Sequence, residues 1–264
     1  MNIYVLFALT MTIIAAIVAI PALYRLRKST AGGGTTIIKD DKEMPGRFFG
    51  FVSTLLDKYW FVILFLTFVV YLVTRLYKLD YLPMGIHVDE LSVALDSKCI
   101  RDWGTDRFGV HHPAYFINNG GGQNALYTYV MSIIIRFLPC TVKTLRLFAV
   151  FCGAICLFAM FGICYEITES KKWALIGPIL VTILPIFIMS ERWALESYLL
   201  LPFSTYFMYF AIRAIKYEKI RDFIITGILM GLTLYTYAVS FIVLPVMLVL
   251  TAAYLVYFVL IRLF

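Results

Sequence analysis

The run FIITGILMGLTLYTYAVSFIVLPVMLVLTAAYLVYFVLI, Phe223 to Ile261, holds no Asp, Glu, Lys or Arg in 39 residues. As one helix rising ~1.5 Å per residue it would be about 58 Å long, roughly twice the ~30 Å of a bilayer's hydrocarbon core. It therefore reads as two membrane spans, with a break around Tyr235–Ser240. Further uncharged blocks precede it at Met1–Tyr24, Tyr59–Thr74, Leu147–Tyr165, Trp173–Ser190 and Ser197–Ile212. Of the 264 residues 62% are apolar and 15% charged, too few polar residues to clothe a soluble core. The fold expected is all-α: a polytopic transmembrane helix bundle with an outer segment that contains an interfacial helix.

A net charge of +7 could suggest a nucleic-acid partner, but the Lys and Arg residues sit in short loops flanking the spans. That distribution follows from the positive-inside rule and needs no nucleic acid. The segment that decides the topology is Ala125–Ile135. Eleven apolar residues between Gly120–Gly122 and Arg136 reach only ~16 Å as helix, so the segment is expected to lie at the interface and not to cross. Then Arg25–Lys58, Glu166–Lys172, Arg213–Asp222 and the C-terminal end share one side, with 14 of the 23 basic residues. A crossing helix would leave 11 against 12 and put Arg213, Lys216, Lys219 and Arg221 outside. The basic side is read as cytoplasmic, and Tyr81–Lys143, Glu191–Glu196 and Tyr235–Ser240 as non-cytoplasmic.

Two domains follow. Residues 1–57 form an N-terminal anchor span, Met1–Tyr24, and a loose cytoplasmic linker carrying Gly32–Gly34. Met1–Tyr24 lacks a basic n-region and an A-x-A-like cleavage site, so it reads as a retained anchor. Residues 58–264 form one transmembrane module. Cys152 and Cys156 share a helix face and read as packing residues. Cys99 and Cys140 lie on one side of the membrane, where a disulfide is open to them.

The chemistry-bearing residues sit on the outer side. Gly85-Ile86-His87-Val88-Asp89-Glu90 follows a span directly. Adjacent carboxylates there either cap the helix starting at Glu90, worth ~1 kcal/mol, or bind a cation and do acid–base work. Ser190–Ser197 packs Glu191, Arg192 and Glu196 between two spans. It is either a salt-bridged corner, with Arg192 pairing Glu196 at i,i+4, or part of a site. Gly104–Gly122, with Asp106, His111, His112, and then Gln123 and Asn124, reads as a substrate-shaping loop; adjacent histidines point apart and do not suit a shared metal. Arg146, at the entry of a span, is either a snorkelling anchor or an anion receptor.

The ordered set of Leu82-Pro83, Asp89-Glu90, Trp103–Gly109, Pro113, Gly122–Tyr129, Arg146-Leu147 and Glu191–Glu196 resembles the bacterial GT-C glycosyltransferases of the protein O-mannosyltransferase and aminoarabinose transferase type, from about Trp60 to Phe264. The resemblance implies transfer of a sugar from a polyprenyl-phosphate donor to an acceptor hydroxyl on the non-cytoplasmic face of a bacterial plasma membrane. It makes Asp89, Glu90 and Glu196 the catalytic carboxylates. Asp89 and Glu196 are candidate ligands of a divalent cation, and no other cofactor is expected. Arg192, Arg146, Gln123, Asn124 and Asp106 are the expected substrate-binding residues, with an Arg for the lipid phosphate. Expected partners are the lipid-linked donor, the bilayer, and an acceptor protein, lipid or glycan. Members of that family run on through further spans, so the module is expected to be incomplete at its C-terminus, with a membrane partner subunit completing it. Two alternatives stand beside the enzyme. A permease or flippase for a lipid-linked saccharide calls for ionisable residues at mid-span, and the spans carry none. A non-catalytic membrane subunit would use the same fold without turnover.

Overall fold

The computed structural model describes residues 47–118 and 120–263. The anchor expected at Met1–Tyr24, and the linker as far as residue 46, lie outside the described residues. Helix α1 spans Arg47 to Leu76 and is kinked at Tyr59 (φ −110°, ψ 19°), two residues past the boundary placed at residue 57. Phe61, Phe65, Leu66 and Val73 on α1 are exposed. A helix that turns such residues outward is suited to lipid, where exposed apolar surface costs nothing.

Beyond α1 the outer segment opens with α2 (Val88–Trp103) and a hairpin of β1 (Tyr115–Asn118) and β2 (Gly121–Asn124), which pair antiparallel with Asn118 opposite Gly121. The sequence had offered a loop here; the hairpin is the one departure from all-helical structure among the described residues. Helix α3 (Ala125–Ile134) follows at once, ten residues long and packed on α2. Both its ends lie at one end of the bundle. Leu126 N–H donates to the Tyr235 carbonyl at one end, and Arg101 reaches the Ile135 carbonyl at the other. It does not cross.

The remaining helices form the bundle. They are α4 (Val142–Thr168), the short α5 (Lys171–Ala174), α6 (Ile176–Ile183), α7 (Pro185–Glu191), α8 (Glu196–Tyr217), α9 (Ile220–Leu234) and α10 (Ser240–Leu263). Helix α4 is central and touches α1, α6 and α8. Among the described residues three helices are long and apolar enough to cross a membrane (Thr54–Leu76, Val142–Thr168 and Glu196–Tyr217), and Lys171–Glu191 makes a fourth if its two halves count as one span. The break expected in Phe223–Ile261 falls between Leu234 and Ser240, as read.

The uncharged block Trp173–Ser190 bends by 61° before Pro185. Proline has no N–H, so the Val181 carbonyl four residues back loses its helical donor. Arg75 supplies one from α1: Nη2 donates to Val181 O at 2.8 Å and Nη1 to Thr182 O at 2.6 Å. Its Nε then donates to Glu191 Oε2 at 2.7 Å, so the same guanidinium ties the C-terminal end of α6 to that of α7. The core runs through this region, with Tyr71, Val150, Leu157 and Val181 in one cluster and Tyr127, Cys152, Cys156, Tyr198 and Leu199 in the next. Cys152 and Cys156 pack as expected, and Cys99 and Cys140 are free thiols.

Candidate functional site

The site begins with how α2 starts. The cap is His87, not Asp89 or Glu90: its Nδ1 accepts from Asp89 N–H at 3.2 Å. Glu90, three residues on, accepts from His87 N–H at 2.9 Å, completing a capping box, and the helix starts at Val88 where Glu90 was expected. The spacing His87-x-x-Glu90 carried that signal in the sequence. Asp89 is thereby left out of the capping, and its side chain stays 44% exposed. Asn118 Nδ2 donates to its Oδ1 at 2.7 Å, and Gln123 Nε2 reaches its main-chain carbonyl at 3.5 Å.

Glu90 lies beside it and is fully enclosed. Arg146 Nε and Nη2 donate to its two oxygens at 2.9 and 3.0 Å, and Ala194 N–H donates at 2.8 Å. Burial alone would raise its pKa. The Arg146 pair and the N–H donors of Ala194 and His87 outweigh that and hold it below the ordinary glutamate value. Arg146 spends its other N–H groups on the carbonyls of Leu79, Pro83 and Gly85. Arg192 donates to five carbonyls, those of Thr74, Arg75, Tyr77, Lys78 and Leu82, and thus closes the C-terminal end of α1. It makes no pair with Glu196.

Four of the residues singled out in the sequence have partners of their own here. Arg146 has every N–H committed to Glu90 or to main-chain carbonyls, and both Nη groups of Arg192 are committed to carbonyls at the end of α1. Glu90 has its oxygens filled and its side chain wholly buried, so it shapes the site without facing it. Asp106, read as a substrate contact, instead accepts from Phe108 and Val110 N–H at 2.9 and 2.8 Å and ties up its own loop.

What the fold does bring together is Asp89 and Glu196. Asn124 N–H donates to Glu196 Oε2, so adjacent residues of β2 touch both carboxylate residues: Gln123 the one, Asn124 the other. The Asn124 side chain donates to the Leu234 carbonyl at 3.0 Å and fastens this corner to the end of α9. Gln123 Oε1 and Asn124 Oδ1 are buried and without a hydrogen-bond partner. Uncommitted amide oxygens beside two carboxylates are an all-oxygen donor set, which suits a hard divalent cation. Among the described residues no three His, Cys, Asp or Glu side chains cluster as metal ligands, so Asp89 and Glu196 would need those amides to complete a site.

A family model described as dolichyl-phosphate-mannose-protein mannosyltransferase matches residues 116–263. The match takes in Gln123, Asn124 and Glu196 and begins after Asp89. No curated protein and no solved structure gives a significant match.

Proposed function

The chain belongs to the dolichyl-phosphate-mannose-protein mannosyltransferase family, a family of glycosyltransferases, and from that premise we propose that it moves a sugar, mannose first among candidates, from a polyprenyl-phosphate donor to an acceptor hydroxyl on the non-cytoplasmic face of the membrane. The observation that carries this is the meeting of Asp89 and Glu196 across Gln123-Asn124 at the end of the bundle. Asp89 is the base. Its Oδ1 is fixed by Asn118, and the carboxylate is open enough to meet an acceptor. The hydroxyl oxygen attacks the sugar's anomeric carbon from the face opposite the phosphate. Asp89 takes the hydroxyl proton, the anomeric C–O bond breaks, and polyprenyl phosphate leaves with the bonding electrons, inverting the centre. Glu196 borders the same space from α8. A divalent cation held by Asp89, Glu196 and the amide oxygens of Gln123 and Asn124 would, when bound, supply positive charge for the departing phosphate.

The test is Asp89→Asn. Asparagine keeps the shape and loses the charge, and His87 still caps the helix. Consumption of polyprenyl-phosphate mannose is followed in vesicles made from the membranes of the expressing cell, which bring the acceptors with them. Turnover should fall at least about 100-fold, within the usual scale of general-base catalysis, with the thermal unfolding midpoint unchanged. Wild-type turnover in the variant removes Asp89 from the mechanism.

A further inference from the structure

Asp89 Oδ1 is the last acceptor of a hydrogen-bond chain that starts at a cation. Arg107 Nη1 donates to Ser92 Oγ at 3.2 Å, Ser92 Oγ donates to Asn118 Oδ1 at 2.6 Å, and Asn118 Nδ2 donates to Asp89 Oδ1 at 2.7 Å. The direction is the same at every link. Because Arg107 fills the acceptor side of Ser92, the one hydroxyl hydrogen goes to the amide oxygen of Asn118. That fixes which way the amide faces and turns its N–H₂ to the carboxylate. Ser92 and Asn118 are 1% and 7% exposed, so water does not compete for these bonds. Arg107 is itself anchored: its main-chain N–H donates to Asp96 Oδ1 at 3.1 Å and its Nη2 to the Ile117 carbonyl at 2.9 Å. Asp96 lies on α2 about two turns on from Asp89, on the same face, and Asn118 is the last residue of β1. The hairpin and α2 are thus joined through the residues that hold the base. Neither Asn118 nor Ser92 stood out in the sequence.

We infer that Asn118, oriented by Ser92 and Arg107, is the positioning residue that aims Asp89 at the acceptor. The inference rests on Asp89 acting as the base. Loss of the amide donor leaves Asp89 charged and present but free to rotate, which lowers the rate of the chemical step and not the affinity for donor. In the vesicle assay above, Asn118→Leu should lower kcat by 10- to 100-fold, the scale seen when a supporting partner of an active-site group is removed, with KM within about 2-fold. Ser92→Ala, which removes a single atom, should lower kcat by several-fold with KM likewise held. The double variant should be no worse than Asn118→Leu alone, because both lesions cut one chain. Unchanged kcat in either single variant, or losses that multiply in the double, would overturn the inference, and should Asn118→Leu not fold, Ser92→Ala decides by the same criterion. If Asp89→Asn is inactive and Asn118→Leu keeps its kcat, only the positioning role falls. If Asp89→Asn turns over normally, the functional reading falls first.

Discussion

Four donors converge on the Glu90 carboxylate, and the guanidinium facing it is equally saturated. A buried pair of this kind contributes modestly as a pair, yet breaking it strands a charge and its partners away from water. Arg146→Met should therefore cost about 3–5 kcal/mol and show as loss of folded protein in detergent, whereas the same lesion in a substrate-binding arginine would mainly raise KM. The acid side gives a second measurement. Glu90 holds its proton less tightly in the folded chain than in the unfolded one. Its contribution is complete above the ordinary glutamate value of ~4.3 and is lost as pH falls below that through the lowered value. The unfolding midpoint should drop on acidification below about pH 4, with a shallower drop in Glu90→Gln, which starts lower. At this scale the sequence was legible in part. The Asp-Glu pair was conspicuous, but spacing alone does not say which carboxylate is filled from outside. That depends on Arg146 and Ala194, brought in from far along the chain.

Helix α4 meets its neighbours through small residues. A Cβ built on Gly153 would lie 2.2 Å from the Tyr71 hydroxyl and 2.3 Å from that of Tyr198; on Gly162 it would lie 2.4 Å from the Tyr209 ring. Glycine here lets α1 and α8 approach α4 closely, as small residues do where helices pack without a hydrophobic drive. Gly153→Ala is expected to destabilise by about 1–3 kcal/mol as an overpacked core, although alanine is the better helix former. Gly227→Ala on α9, with nothing within 4 Å, is the control and should be neutral or slightly stabilising. Thermal unfolding of the two variants in one detergent separates the cases, and equal midpoints would mean that α4 has room to spare. Elements were the most legible scale, since length and freedom from charge define a span. The bend before Pro185 was not read, although the proline lies in plain view, because a proline in a span ends it, kinks it or is absorbed according to what a neighbouring helix can donate.

Over the whole molecule the two ends of the bundle differ in chemistry. At one end Arg213 meets Glu166 and Asp222, joining the C-terminal ends of α4 and α8 to the start of α9. At the other end lie Asp89, Asn124, Glu196 and the end of α9. The basic residues gather at the first end, which we propose is the cytoplasmic one. An impermeant thiol reagent on intact cells should label Phe108→Cys and reach Lys219→Cys only after permeabilisation; the opposite pattern would invert the assignment. The shortness of α3 was legible in the sequence, and the nearness of Asp89 to Glu196 only as far as the alternation of helices brings distant carboxylates to one end of the bundle. One consequence concerns biogenesis. The bent α6–α7 segment carries carbonyls bared by Pro185 and the acid Glu191, and hydrocarbon offers none of them a partner. All are answered by Arg75, which leaves the ribosome 116 residues before Glu191. The order of synthesis is then also an order of insertion: α1 must already stand in the bilayer when the bent segment arrives, and serves as the template on which it settles.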